Sequence, residues 1–148
     1  MDREFEIRIR AEQLRQYRDV LKEIPKIEKE INKILKQKER VPIVKDKVKA
    51  SLDDFPYTDT HVTVDAPEPV LNTHLEKLLI KKRVRMEFLT KERLAVEDFI
   101  NGIEDSRTRQ IFDAVFVNGV KQKDVAIEFD LTEGRVSQII QEEIEKSV

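Results

Sequence analysis

Apolar residues recur at spacings of three and four over most of the chain, the period of amphipathic helices. Leu14, Tyr17, Leu21 and Ile24 form one stripe, and Ile27, Ile31 and Ile34 a second, on otherwise charged segments. Pro25 stands between them. Proline suits the first position of a helix and disrupts an interior. Residues 1–40 therefore predict either a helix over 3–23 followed by another over 25–38, or one kinked helix. The repeat shifts between Ile24 and Ile27, which argues against a continuous coiled coil through this point.

The pattern changes over 41–69, where Pro42, Pro56, Pro67 and Pro69 punctuate the chain and HVTV at 61–64 alternates like a short extended segment. A linker or arm is expected here, since nearly thirty residues is long for a connection inside one compact domain. From Val70 to Ile103 the residues Leu71, Leu75, Leu78, Leu79, Met86, Leu89, Val96, Phe99, Ile100 and Ile103 mark a long helix, with Lys82 breaking the stripe and Thr90 a point of interruption. Residues 104–148 predict a terminal three-helix domain whose first helix contains Ile111, Phe112, Val115 and Phe116. The fold class expected is all-α.

Within that last segment, QKDVAIEFDLTEGRVSQI, residues 122–139, carries the spacing of a helix-turn-helix. Val125, Phe129, Leu131, Val136 and Ile139 fall where two short, steeply crossing helices must bury side chains against each other. Ala126 falls where they come closest. Asp130 lies in the turn, where the backbone goes to positive φ, a conformation Asp tolerates better than most residues. Thr132 reads as the N-cap of the second helix, with Glu133 in its positive first turn. The outer face of that helix then carries Glu133, Gly134, Arg135, Ser137, Gln138 and Gln141. Arg can pair with guanine, Gln with adenine and Glu with the amino group of cytosine, while Gly lets the backbone approach a duplex closely. Lys121, Gln122 and Lys123 stand at the start of the first helix. The pattern thus makes double-stranded DNA the leading partner. An ordinary helical hairpin with a solvated polar face would need none of these positions in register.

The stretch IEDSRTRQIFDAVFVNGVKQKDVAIEFDLTEGRVSQIIQEEI, residues 103–144, resembles region four of bacterial sigma factors, the module that reads the upstream promoter element. In that family the recognition helix contacts bases from its first two turns, and the matching positions here are Glu133, Gly134, Arg135, Ser137 and Gln138. The resemblance also implies that the helix of Ile111, Phe112, Val115 and Phe116 completes a three-helix core, and that Lys121, Gln122 and Lys123 lie where backbone phosphates would pass. Glu133, Gly134 and Ser137 stand where primary sigma factors often carry Arg, Glu and Arg, which implies a different target sequence. The whole layout, from helical segment and linker to long charged helix and sigma-like end, resembles phage-encoded late-gene transcription regulators of the RinA and ArpU type. That resemblance implies a small regulator of phage or prophage genes, bound near a promoter, with RNA polymerase as a further partner.

Composition fits helices: 39% of residues are charged, 6% aromatic and 3 are Gly. With no Cys, no signal-like segment and no long apolar run, a cytoplasmic protein without disulfides is expected. His61 and His74 have no carboxylate spacing that makes a metal site, and neither a metal nor another cofactor is expected. No Gly-rich phosphate loop, nucleophile elbow or His pair points to an enzyme. KKRVR, residues 81–85, could touch phosphates, but a solvated helix face is the expectation for so short a run.

Charge sharpens the DNA reading. The net charge is −2, and residues 106–148 hold 6 Lys or Arg against 8 Asp or Glu, whereas residues 1–40 hold 12 against 9. Phosphate neutralisation supplies most nonspecific affinity, so one such module should bind weakly alone. Two linked copies, an added basic segment or polymerase would have to help. The stripes on the N-terminal and central helices suggest a homo-oligomer, a dimer first. Two other classes compete. A phage terminase small subunit also joins this motif to oligomerisation helices, usually with the DNA motif first. A polymerase-binding or anti-sigma protein would borrow the fold without reading DNA.

Overall fold

The computed structural model describes residues 2–41, 43–51, 59–67 and 69–148, with 43–51 and 59–67 as backbone. In chain order the elements are helix α1 (Arg3–Glu39), strands β1 (Ile43–Ser51) and β2 (Asp59–Pro67), helices α2 (Pro69–Asn101) and α3 (Ser106–Phe112), a π-helical segment (Asp113–Val117), and helices α4 (Gln122–Glu128) and α5 (Glu133–Lys146). Helix dominates, as the sequence predicts. Among the described residues no helix is long and apolar enough to cross a membrane.

Of the two alternatives for residues 1–40, α1 is a single helix with Pro25 inside it. A proline there removes a backbone hydrogen bond and crowds the preceding turn, at a cost of about 3 kcal/mol. Val20 and Ile24 before it and Ile27 and Ile34 after it are all buried. Each such side chain contributes about 1.5–3 kcal/mol on burial, so packing on both sides outweighs the proline. The long central helix is also unbroken. At the expected interruption the Thr90 hydroxyl donates to the Met86 carbonyl over 2.8 Å, a bond that fits within the helix.

The departure from an all-α chain lies in the segment expected as a linker. β1 and β2 pair antiparallel, in register from Ile43 opposite Pro67 to Ser51 opposite Asp59. The alternation of HVTV falls in β2, and a partly polar alternation, IVKDKVKAS, forms β1. Pro67 occupies the last position of its strand, where its missing N–H interrupts no ladder interior. Pro42 and Pro56 lie outside the described residues.

The chain divides into two compact units, one of residues 1–26 and 86–148, the other of residues 27–85. In the second unit, Ile34, Val41, Leu75 and Leu79 form a small core flanked by Ile31 and Leu78. Lys82 pairs with Glu30 at 2.6 Å and Lys38 with Glu76 at 3.6 Å, so these parts of α1 and α2 run antiparallel. The lysine that interrupts the apolar stripe of α2 therefore has a carboxylate to meet, and Lys81, Arg83 and Arg85 around it are exposed.

In the first unit a core cluster draws on five helices. Leu14 and Tyr17 of α1 and Val96 and Ile100 of α2 meet Ile111 and Phe112 of α3, Val125 and Ala126 of α4, and Val136, Ile140 and Ile144 of α5. Phe112 sits edge-on to Phe99 at 5.6 Å and tilted to Phe116 at 5.4 Å. The three-helix core expected over 104–148 is thus extended by two helices from earlier in the chain. The stripe read as a surface for a second copy supplies part of this interior through Leu14 and Tyr17, with Leu21 packed against it. The Tyr17 hydroxyl donates to a Glu97 carboxylate oxygen at 3.0 Å. Burial, and then that carboxylate, push its pKa up to about 12.

Candidate nucleic-acid interface

The approach to the motif is fixed by two arginines. Asp105 caps α3, accepting from the Thr108 backbone N–H at 3.0 Å and from its hydroxyl at 2.7 Å. Those two bonds hold the carboxyl below its ordinary pKa. Arg109 donates to the Ile103 carbonyl at 2.8 Å, which ties α3 to the end of the preceding segment. Arg107 donates to the Phe129 carbonyl and lies 6.0 Å from that ring, so it braces the turn of the motif from outside. The link from Arg107 to Phe129 spans 22 residues and has no local sequence signal.

The helices of the motif form where the pattern placed them. Val125 and Ala126 of α4 and Val136 of α5 are buried, with Phe129, Leu131 and Ile139 packed against them. Asp130 adopts φ 55°. The Leu131 N–H donates to the Ala126 carbonyl at 2.8 Å, closing the end of α4. Thr132 has extended backbone, and its hydroxyl accepts the Arg135 N–H at 3.1 Å, capping α5. The expected positive φ and the expected cap are both present.

Around this frame the singled-out side chains fall on one exposed side of α5 and at the start of α4. Glu133, Gly134, Arg135, Ser137, Gln138 and Gln141 are exposed, as is Thr132, whose hydroxyl is engaged by the cap. Lys121 is the N-cap of α4; it and Lys123 are exposed, and Gln122 is half-buried. A Cβ built on Gly134 meets nothing within 4 Å, so nothing within the chain requires glycine there. Arg135 donates to the Gln138 side-chain oxygen at 3.3 Å and pairs with Glu142 at 3.5 Å. Gln141 donates to Glu145 at 3.1 Å. Glu142, absent from the sequence reading, thus sets the resting position of Arg135. Its seven-residue separation, two helical turns, is the signal that could have found it.

Gly119, with φ 69°, forms the turn between the π-helical segment and α4. Among the described residues, no group of three or more His, Asp or Glu is arranged to hold a metal ion. Comparison with family models, with curated proteins and with solved structures finds no match to this chain.

Proposed function

We propose that the protein is a sequence-specific DNA-binding transcriptional regulator of phage or prophage late-gene type, with α5 entering the major groove. The observation that carries this reading is the exposed first two turns of α5. A capped helix, packed through the buried Val136 on the buried Val125 and Ala126, exposes Glu133, Arg135, Ser137 and Gln138 over its first two turns, with a glycine that no internal contact requires. These are groups that read base edges, and Gly134 leaves room for a duplex to come close. Lys121 and Lys123 take flanking phosphates, with Gln122 beside them. The resting contact of Arg135 with Gln138 and Glu142 is exposed and worth about 0–1 kcal/mol, little enough for a base to displace.

The test is a selection of bound sequences from a randomised duplex pool, using wild type and an Arg135→Ala, Gln138→Ala double variant. A recurring sequence that the double variant loses is the expected result, and a two-fold repeat within it supports a dimer. No enrichment by wild type would overturn the reading. It would favour a polymerase-binding or anti-sigma protein, to which the excess of acidic residues over 106–148 also points.

A further inference from the structure

We propose that Arg18, on α1, is a phosphate-contacting residue of the same DNA interface, adding to the motif a cation that its own segment lacks. The inference rests on the DNA-binding reading above.

Residues 106–148 carry more acidic than basic side chains. Four of their six cations are already engaged within the chain, Lys146 with Glu143 at 4.0 Å among them. Arg107 is bound to the Phe129 carbonyl, Arg109 to the Ile103 carbonyl, and Arg135 to Gln138 and Glu142. Affinity for a polyanion grows with each phosphate neutralised, so this module is short of free positive charge where duplex binding needs it.

The fold brings one in from far along the chain. Leu14 and Tyr17 are buried in the same core as Val125 and Ala126, which fixes α1 against the motif within the first unit. Arg18 follows Tyr17 and lies against the turn before α4: a Cβ built on Gly119 would land on its guanidinium. Glycine at 119 therefore meets two demands at once, the positive φ of the turn and the passage of the Arg18 side chain. Two Cα steps, about 8 Å at most, separate Gly119 from Lys121. Arg18 is exposed, and none of the described ion pairs or hydrogen bonds engages it. A planar guanidinium laid over the Gly119 backbone, on an exposed side chain and two residues along the chain from the exposed Lys121, has the chemistry of a phosphate clamp.

The experiment uses the full chain and two fluorescent duplexes, one of random sequence and one bearing the selected motif, titrated across a salt series. Arg18→Gln is expected to weaken both duplexes by the same factor and to flatten the plot of log K against log salt by about 0.9, the loss of one phosphate contact. Arg18→Lys keeps the charge and is expected to keep the slope. A readout needing no substitution is phenylglyoxal labelling of Arg18 in the wild type, followed by mass spectrometry, which should fall when duplex is added. Wild-type binding with an unchanged slope in Arg18→Gln and unchanged labelling would overturn the role of Arg18 and leave the DNA reading standing. Failure of wild type to bind any duplex at low salt would remove both.

Discussion

Gly134 and Asp130 are opposite exceptions to backbone preference. Asp130 holds a conformation that favours glycine, and Gly134 sits in a helix where open space would accept any small side chain. Glycine inside a helix costs about 0.5–1 kcal/mol relative to alanine. Gly134→Ala should therefore raise the unfolding free energy by about that amount in a urea titration. In the proposed DNA-bound mode the same variant should bind duplex more weakly, because the added methyl group would stand where the groove wall approaches. A stabilised variant with unchanged affinity would show that close approach has no part in binding. The φ of Asp130 and the cap by Thr132 could be read from sequence because each depends on neighbours within a few residues. The bracing of the turn by Arg107, and the contact of Arg18 with Gly119, could not, since each depends on how distant segments pack.

Among the elements, α1 and the β-ribbon mark the limits of pattern reading. Periodicity located both stripes of α1, yet continuity through Pro25 is decided by burial on either side of it, which a stripe alone does not quantify. In the ribbon, HVTV showed its alternation, but β1 alternates lysine with mixed partners and reads as polar chain until its pairing with β2 is known. The structure makes a direct prediction for α1. Pro25→Ala restores an N–H that can donate to the Leu21 carbonyl and removes the ring clash. Stability should rise by about 1–3 kcal/mol, measured as a shift in Tm. A fall in Tm instead would mean that the geometry imposed by the proline is needed by the buried residues flanking it.

On the scale of the molecule, the motif belongs to a core whose other walls come from α1 and α2, and Tyr17 to Glu97 is a polar link between those two helices. The phenol of Tyr17 titrates at about 12 in the fold against about 10 in an unfolded chain. Below pH 10 both states keep the proton and its contribution to stability is full. Between about 10 and 12 the unfolded chain has released the proton and the folded one has not, so stability falls as pH rises. Urea midpoints measured across this range should decline more steeply for wild type than for Tyr17→Phe; equal slopes would mean that the phenol is not held as the structure places it.

Leu14 packs in one core with Ile140 and Ile144, residues from opposite ends of the sequence. During translation α1 leaves the ribosome well before α5 has been made, and its apolar stripe has to wait for partners that do not yet exist. A nascent chain stopped anywhere before α5 leaves Leu14 and Tyr17 without the wall that Val136, Ile140 and Ile144 provide. Incomplete products thereby keep exposed the apolar surface that makes unfinished chains aggregation-prone and calls for chaperones.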